Sequence, residues 1–268
     1  MSDYDAYANI YDAQYMGYTE DVSFYVGQAC QTKGPVLELA CGTGRVLLPC
    51  AEVGALITGL DLSSAMLTRC KEKLAAYPAE VAERVRLVTG DMRSFSLPER
   101  FELITIPFRS FLLLPTIQDQ LQTLATIRAH LTDNGRLVFN VFVPDLSLIV
   151  ARTGQVGEPL TRFREFLDPH TGHRIVMWDS RHYLINEQII DNMYVYDELD
   201  EHSQVVRRYY KSLKLRWMYR YETEHLLARA GFVVDTLYGG FDRSPFDENS
   251  REMIWIARKF ARDPARTA

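Results

Sequence analysis

The chain has 268 residues, of which 47% are hydrophobic, 24% charged and 12% aromatic. This is the composition of a folded globular protein, and it excludes a disordered, collagen-like or coiled-coil chain. The formal net charge is -5, from 30 Lys and Arg against 35 Asp and Glu, so the basic excess typical of nucleic-acid-binding proteins is absent. Of the 15 Tyr, 13 lie in residues 4–25 and 183–221, which sets these two segments apart from the middle of the chain.

The chain start and the cysteines indicate a cytoplasmic protein. The first 15 residues are acidic and aromatic, whereas a signal peptide has a basic and then an apolar run. No run of about 18 apolar residues is present, so no membrane-spanning helix is expected. The four Cys, at positions 30, 41, 50 and 70, have no CxxC spacing and predict reduced thiols rather than a zinc site.

In chain order, the first 145 residues predict helices that alternate with short buried strands. Residues 3–32 predict helical segments broken near Met16-Gly17. Five apolar runs that end in turn signals predict strands at 35–40, 55–62, 85–89, 101–106 and 136–143. Helical periodicity predicts helices over 45–53, 63–76 and 116–131, with Ser63 and Thr116 as N-caps and residues 132–135 as a turn. This alternation favours the α/β class, with a parallel sheet covered by helices on both faces.

The pattern changes near residue 160. Residues 163–218 are rich in Ile, Val, Tyr and Trp and have little helical periodicity, which predicts three or four inserted antiparallel strands. In residues 205–221 the odd positions are the more apolar and are expected to face inward. That face carries Arg207, Tyr209, Lys211 and Trp217. The alternative is a half-exposed edge on which both cations reach solvent. A helix over 223–230 and strands at 232–237 and 253–258 are expected to complete the fold.

Glycines and acidic residues follow the predicted parallel strands. Glu38-x-Ala-Cys-Gly42-Thr-Gly44 follows the first strand, Asp61 ends the second and Asp91 follows the third. Ligands bind at the carboxyl ends of the strands in an open parallel sheet, and glycine lets a ligand approach the backbone closely. An acid at the end of strand two can accept hydrogen bonds from a ribose diol, and an acid after strand three can face adenine. The pattern therefore predicts an adenosine-containing ligand.

A nicotinamide dinucleotide, which also contains adenosine, is the main alternative ligand for this glycine turn. Its fingerprint needs a third glycine three residues after the second, to let the helix pack beside the pyrophosphate. Leu47 occupies that position here. An NAD-dependent oxidoreductase is therefore disfavoured and stays an outside alternative.

The segments ELACGTGRV, GLDLSSAML, GDMRSF and IPFRSF resemble the successive motifs of class I S-adenosylmethionine-dependent methyltransferases. The resemblance covers roughly residues 7–145 and the closing strands after Gly231. It implies a Rossmann-like seven-stranded methyltransferase sheet in a single domain. The expected parts are an N-terminal helical lid or cap (1–32), a cofactor-binding core (33–145), an antiparallel β insertion after strand five that roofs the substrate (160–221), and a final helix with closing strands (222–260).

The resemblance implies which residues bind S-adenosylmethionine. Glu38 and the backbone of the glycine turn would hold its methionine part, Arg45 would brace acidic groups at that turn, and Asp61 would bind the ribose. The other implied cofactor contacts are Ala40, Gly42, Gly44, Leu62, Met66, Asp91, Met92 and Pro107. Tyr11 resembles the tyrosine that closes over the cofactor near its sulfonium in small-molecule N-methyltransferases of the glycine and amino-sugar type.

The motifs are much less specific for the substrate than for the cofactor. Tyr11 and Arg109 are the expected catalytic residues, and Arg109 follows strand four where the methyl group would be delivered. Its alternative role is a salt bridge with Glu102 or Asp119. The expected substrate-binding residues are Tyr15, Arg109, Phe111, Arg207, Tyr209 and Trp217. A general base is not identified, although His182 or His225 could serve, and His170-x-x-His173 lacks a third metal ligand, so no metal is expected.

The sequence predicts methyl transfer from S-adenosylmethionine to a small molecule, at an amine or ring nitrogen, by in-line displacement. The preference for nitrogen rests on the Tyr11 resemblance alone. Ile-Pro-Phe-Arg after strand four replaces the Asn/Asp-Pro-Pro-Tyr of enzymes that methylate DNA adenine or glutamine. A small-molecule O-methyltransferase, an RNA or protein methyltransferase and a non-catalytic cofactor-binding module stay open, as does a homodimer. No nucleic-acid or membrane partner is expected, and substrate specificity is expected to lie in residues 4–25 and 163–221.

Overall fold

The computed structural model describes residues 8–152 and 159–260. Tyr4 and Tyr7, expected on the first helix, lie outside these ranges. The strands are β1 (Val36–Leu39), β2 (Ile57–Asp61), β3 (Val85–Thr89), β4 (Phe101–Ile106), β5 (Leu131–Phe142), β6 (Thr161–Leu167), β7 (Arg174–Leu184), β8 (Ile189–Leu199), β9 (Val205–Arg216), β10 (Phe232–Tyr238) and β11 (Glu252–Lys259). The helices are α1 (Ala8–Gln14), α2 (Glu20–Cys30), α3 (Leu47–Glu52), α4 (Ser64–Leu74), α5 (Ala79–Ala82), α6 (Ile117–His130), α7 (Leu146–Arg152) and α8 (Arg220–Arg229).

The central sheet has seven strands in the order β10-β11-β5-β4-β1-β2-β3. Strands β1 to β5 are parallel, whereas β11 runs antiparallel to both β5 and β10. The chain reverses strand order at β1 and β4, so the turns after these strands diverge and leave a crevice at the carboxyl edge. The Rossmann-like sheet predicted from the sequence is confirmed.

Burial explains why the inner strands are continuous apolar runs. All four residues of β1 are buried, as are five of the six in β4, because helices and loops cover both faces of the sheet. Two large apolar clusters flank the sheet, one including Phe101, Phe139 and Trp255 and the other including Phe24 and Leu47. The rigid sheet thereby fixes the position of the turns at its edge.

Local chemistry sets the helix starts. The Ser63 hydroxyl accepts a hydrogen bond from the backbone N–H of Met66 at 3.1 Å, and the Thr116 hydroxyl accepts one from Asp119 at 3.0 Å. Both predicted N-caps are confirmed. The predicted turn at residues 132–135 is wrong, because these residues belong to β5, where the pairing with β4 shifts register. The extra residues are accommodated by that irregularity rather than by a break in the strand.

The insertion forms a separate four-stranded antiparallel sheet, in the order β6-β7-β8-β9. On β9, Lys211 is buried and Tyr209 is half-buried, and Trp217, directly after the strand, is buried, so the odd positions face inward over most of this segment. Arg207 is exposed, as are its neighbours at 205, 206 and 208. The expectation that Arg207 faces inward is wrong, because this end of the strand extends into solvent on both faces.

Helix α1 lies between the two sheets. Its residues Ala8 and Ile10 pack with Met66 of α4 and with Met177 and Tyr196 of the insertion. Helix α1 therefore joins the carboxyl edge of the main sheet to the inserted sheet. Across residues 8–152 and 159–260, every helix is too short or too polar to cross a membrane.

Candidate active site

A cavity of about 880 Å³ opens at the carboxyl edge of the central sheet. Its walls come from helix α1, the turns after β1 to β4 and the inward face of the insertion. This volume is typical of a small-molecule site. The cavity is lined by eleven of the residues expected to bind cofactor or substrate, namely Tyr11, Tyr15, Ala40, Gly42, Asp61, Leu62, Met66, Asp91, Met92, Arg109 and Trp217.

The glycine turn after β1 has a left-handed backbone that leaves room on the cavity side. Ala40, Gly42 and Gly44 have φ angles of 55°, 54° and 81°. A Cβ at Gly42 would meet no other atom within 4 Å, whereas a Cβ at Gly44 would lie 2.6 Å from the Cys70 sulfur. Gly42 therefore keeps the cavity open, and Gly44 lets the turn pack against α4. Leu47, at the position of a third dinucleotide glycine, is fully buried in the core.

Asp61 lies at the end of β2 and faces the cavity. Its carboxylate accepts hydrogen bonds from the backbone N–H groups of Gly42 and Ser63, both at 2.8 Å. A carboxylate has about four acceptor positions, so these bonds fix the side chain and still allow it to accept from a ligand diol. Beside it, Met66 is buried and Leu62 is 59% exposed. These two apolar side chains can pack against a flat ring.

Glu38 is buried beneath the glycine turn, behind the residues that line the cavity. Its Oε2 atom has no hydrogen-bond partner among the described residues. Burial raises the pKa of Glu38 to about 8, although the Arg45 guanidinium acts in the opposite direction. A cation placed near this unpaired carboxyl group, such as the ammonium of an amino acid, would favour its ionised form. Together with the open turn at Gly42, this supports the fit of the methionine end of S-adenosylmethionine.

Arg45 lies outside the cavity wall and holds the lid. Its guanidinium donates two hydrogen bonds of 2.6 Å to the carboxylate of Asp21, which is fully buried in α2. The same guanidinium carbon lies 4.6 Å from the ring centroid of Phe108. Arg45 thus neutralises a buried acid, as a bidentate pair does, rather than facing a ligand.

Asp91 lines the cavity, but its carboxylate is engaged. Arg93 donates to it through Nε at 3.0 Å and through Nη2 at 2.6 Å. The hydrogen bonds from Arg93 hold the pKa of Asp91 below its ordinary value. The carboxylate is therefore ionised at neutral pH and is a weak base. A ligand amino group at this position would have to share the carboxylate with Arg93.

An aromatic cluster closes the cavity on the lid side. The ring centroids of Tyr11 and Tyr15 are 4.8 Å apart, and Phe108 lies 4.8 Å from Tyr15 and 5.2 Å from Tyr18. Burial is the largest cause that raises the pKa of Tyr11 far above its ordinary value, and Tyr15 adds to it. The phenol of Tyr11 is therefore neutral at physiological pH, so it can hydrogen-bond but cannot act as a base at that pH.

The lid is also hydrogen-bonded to the glycine turn. A carboxylate oxygen of Asp12 accepts from the Thr43 hydroxyl at 2.5 Å and from the Lys73 ammonium at 3.0 Å. Lys73 also donates to Thr43 at 3.1 Å. These three residues connect α1, the glycine turn and α4. They were not among the residues expected from the sequence, because they lie on three separate elements and share no local pattern.

Arg109 lines the cavity after β4, but neither of its anticipated salt-bridge partners pairs with it. It forms an ion pair with Glu252 of β11, with Nε at 2.9 Å from the carboxylate. Glu102 instead accepts from the backbone of Gly34, and Asp119 pairs with Arg93. No sequence signal marks Glu252 as the partner, since it lies 143 positions further along the chain.

Four other expected residues lie away from the cavity wall. Pro107 is buried behind the turn after β4, and Phe111 is fully buried, with its ring centroid 5.0 Å from that of Phe139 in the core. Tyr209 stacks on Tyr196 with ring centroids 5.2 Å apart, and the Arg207 guanidinium lies over Tyr209 at the exposed end of β9. The geometry gives Phe111 and Arg207 no contact with a ligand in this cavity.

The insertion contributes cavity-lining residues that the sequence pattern did not reveal. Alternate positions of β7 and β8 line the cavity, including Arg181, Tyr183, Asn192 and Tyr194. In the sheet, Asn192 pairs with Leu213 and Tyr194 with Lys211 of β9. Extending the odd-face pattern of β9 through antiparallel pairing would have identified this face.

Histidine and metal sites do not contribute to the described cavity. His170 contacts Arg69 at 2.7 Å, and His173 pairs with Glu198 at 2.7 Å. His182 and His225 are exposed and lie off the cavity wall. Within residues 8–152 and 159–260, no cluster of three or more potential ligands could hold a metal ion.

Comparison with known proteins identifies the core. Residues 36–135 match the family described as "Methyltransferase domain". A curated relative, the dTDP-3-amino-3,4,6-trideoxy-alpha-D-glucopyranose N,N-dimethyltransferase of Streptomyces venezuelae, is 28% identical over 139 residues, which are 49% of this chain and 55% of that protein. The match to this relative thus spans about half of its length.

Two solved structures share the fold over nearly the whole chain. The CcbJ methyltransferase from Streptomyces caelestis has a TM-score of 0.78 at 21% identity, covering 97% of this chain and 100% of that chain. CalS10 from Micromonospora echinaspora, an amino pentose methyltransferase solved with S-adenosylmethionine bound, has a TM-score of 0.65 at 20% identity, covering 95% and 96%. The family match shows that residues 36–135 are a methyltransferase domain, and the solved structures share its fold over nearly the whole chain. The open glycine turn and the positions of Asp61 and Glu38 fit S-adenosylmethionine as the cofactor.

Proposed function

We propose that the protein transfers a methyl group from S-adenosylmethionine to an amine of a small molecule. The supporting observation is the chemistry of the acceptor half of the cavity. It is rich in aromatic side chains, and no histidine lines it among the described residues. A neutral amine attacks through its own lone pair, whereas a hydroxyl acceptor needs a base to remove its proton.

Two carboxylates and two phenols of the cavity, those of Asp61, Asp91, Tyr11 and Tyr194, are poorly suited to act as bases. Asp61 accepts two backbone N–H bonds and Asp91 is paired with Arg93, and each arrangement favours the ionised carboxylate. Burial raises the pKa of Tyr11 and of Tyr194 far above the ordinary value. The cavity therefore suits an acceptor that is already nucleophilic, which favours nitrogen over a hydroxyl oxygen.

The bound cofactor would supply a methyl group already activated on a sulfonium. Glu38, the turn at Gly42 and Asp61 would hold its two ends, so the chain's main task is alignment and exclusion of water. Tyr11, Tyr15 and Phe108 cover the position between the cofactor turn and the insertion. Their faces and hydroxyl groups can stabilise a nearby cation.

The relatives support the same acceptor class. The Streptomyces venezuelae protein is named an N,N-dimethyltransferase of an amino sugar, and CalS10 is described as an amino pentose methyltransferase. An amine on a sugar or a comparable small polar scaffold is therefore the first acceptor class to test.

The test is incubation of the protein with methyl-labelled S-adenosylmethionine and separate pools of amino sugars, other small amines, phenols, RNA and protein, followed by mass spectrometry. We expect label on nitrogen in a small-molecule pool, and its loss in Asp61→Ala. Label only on oxygen, or only in RNA or protein, would overturn the acceptor class. Binding without turnover in every pool would overturn catalysis, and calorimetric binding of NAD in place of S-adenosylmethionine would overturn the cofactor assignment.

A further inference from the structure

The turn after β4 has an unusual backbone. Phe108 and Arg109 are consecutive, neither is glycine, and both are left-handed, with φ of 56° and 62°. This region is disfavoured for residues with a Cβ, because the side chain approaches the following carbonyl. Such conformations persist where surrounding contacts fix them, and they concentrate at functional sites. The turn lies at the cavity wall, and both residues line it.

Asn140 and Glu252 hold this turn from the neighbouring strands. The Asn140 carbonyl oxygen on β5 accepts from the backbone N–H of Arg109 at 3.3 Å and from the Tyr25 hydroxyl at 2.9 Å. Its amide nitrogen donates to Glu252 on β11 at 2.9 Å. The other Glu252 oxygen accepts from the Arg109 guanidinium.

These bonds form a closed ring that fixes Arg109 at both main chain and side chain. Asn140 is 1% exposed and Glu252 is 7% exposed, so both an amide and a carboxylate are buried in this ring. Buried polar groups are costly unless each is paired. In this ring the hydrogen bonds use both ends of the Asn140 amide and both oxygens of Glu252.

The turn places Phe108 at the centre of the lid contacts. The Phe108 ring contacts Tyr15 and Tyr18 edge-on, and the Arg45 guanidinium lies over it. A more relaxed, right-handed turn would redirect this ring and separate the wall after β4 from helix α1. Alignment for in-line transfer is sensitive to shifts of about 1 Å.

We propose that Asn140 and Glu252 are positioning residues for methyl transfer, which hold the Phe108–Arg109 turn in the conformation that aligns the acceptor. This inference rests on the proposed function. The two residues act through the turn, and neither lines the cavity. Their substitution should therefore lower kcat while the binding of S-adenosylmethionine, held by the turns after β1 and β2, stays unchanged.

The ring offers a reciprocal test. Asn140→Asp replaces the donor that faces Glu252 with a second acceptor. Glu252→Gln introduces an amide nitrogen, which is a donor. In one orientation this nitrogen faces the Asn140 amide nitrogen, and in the other it faces the Arg109 guanidinium, so two donors oppose each other in either case. In the double variant N140D/E252Q, the side chain at position 252 donates to the one at position 140, which reverses the direction of the hydrogen bond, and one negative charge remains in the ring. We expect each single variant to lose about tenfold or more in kcat and the double variant to return to within about threefold of wild type.

Val138→Ala is the matched control, because Val138 is fully buried on the same strand but packs in the opposite cluster. It should lower the melting temperature and leave kcat unchanged. The affinity for S-adenosylmethionine, measured by calorimetry, should stay within about twofold in all variants. The inference would be overturned if each single variant had the kcat of wild type. It would also be overturned if the loss of kcat in the double variant equalled the product of the losses in the two single variants.

Hydrogen exchange of the peptide spanning residues 107–113 separates this inference from the proposed function, since it needs no acceptor. Exchange should rise in both singles, return to wild type in the double variant and stay unchanged in Val138→Ala. If wild type methylates no amine and this exchange pattern appears, the proposed function fails while the holding of the turn stands. If wild type is active and exchange is the same in all variants, the inference fails.

Discussion

The backbone N–H of Gly42 donates to a carboxylate oxygen of Asp61 at 2.8 Å, which fixes the glycine turn after β1 to the end of β2. The other oxygen of Asp61 accepts from the N–H of Ser63. The same carboxylate therefore shapes the glycine turn, orients the start of α4 and lines the cavity.

Asp61→Ala should weaken the binding of S-adenosylmethionine by at least tenfold. A hydrogen bond to a charged group contributes about 1.5–3 kcal/mol, and this substitution also releases the turn at Gly42. Isothermal calorimetry measures the effect. Asp61→Asn is the control, because it keeps one acceptor oxygen for Gly42 or Ser63 and should lose less affinity than Asp61→Ala. Equal affinity in wild type and Asp61→Ala would show that the carboxylate does not hold the ribose.

Alanine at Gly44 should lower stability, whereas alanine at Gly42 should lower cofactor affinity. A Cβ at Gly44 would lie 2.6 Å from the Cys70 sulfur, on a backbone with φ of 81°. Holding an alanine in this left-handed backbone conformation costs about 1–3 kcal/mol even before the clash is counted. We therefore expect a large drop in the melting temperature of Gly44→Ala.

Gly42→Ala is the matched substitution, since its Cβ would meet nothing within 4 Å and would occupy space beside the cavity. It should lower the melting temperature less than Gly44→Ala and reduce S-adenosylmethionine binding more. Combining Gly44→Ala with Cys70→Ala should recover part of the lost stability by removing the sulfur. The same loss in both glycine variants would contradict the separate roles of these positions.

Glu38 should make stability depend on pH in a defined window. Its pKa is raised from an ordinary value of 4.5 to about 8 by burial, so the folded chain keeps a proton that the unfolded chain loses between these values. Stability therefore falls as pH rises through this window, because the folded state binds more protons. Glu38→Gln removes this dependence.

Thermal unfolding without cofactor, at pH 5 and at pH 8, measures the effect. We expect the melting temperature of Glu38→Gln minus that of wild type to be a larger value at pH 8 than at pH 5. Asp133→Asn provides a control carboxylate, since Asp133 is fully exposed and should show no comparable difference. A difference that is the same at both pH values would show that Glu38 is ionised in the folded chain.

The cofactor half of the site was predictable because its signals are local. The turn at Gly42 and Gly44, the acid at Asp61 and the cap at Ser63 each lie within a few residues of a strand end, where sequence pattern and geometry coincide. The seven-stranded sheet followed from the same motifs. Short apolar strands between turn signals leave few arrangements for a parallel sheet.

The acceptor half was less predictable because its contacts join distant segments. Glu252 reaches Arg109 across 143 positions, and the Tyr25 hydroxyl reaches Asn140 across 115. No local pattern marks such pairs. Phe111 was misplaced for a related reason, since its position after β4 suggested the cavity, while a short 3-10 helix at Ser110–Leu113 turns its ring into the core.

Helix α1 is bonded to both halves of the cavity. On one side, Asp12 accepts a hydrogen bond from the Thr43 hydroxyl of the glycine turn. On the other side, the side-chain oxygen of Gln14 accepts from the Tyr196 hydroxyl at 3.1 Å, and the backbone carbonyl of Gln14 accepts from Arg164 at 2.5 Å. Under the proposed function, we expect loading of the donor and release of the methylated product both to be sensitive to this helix, so the two exchange rates should vary together when α1 is altered.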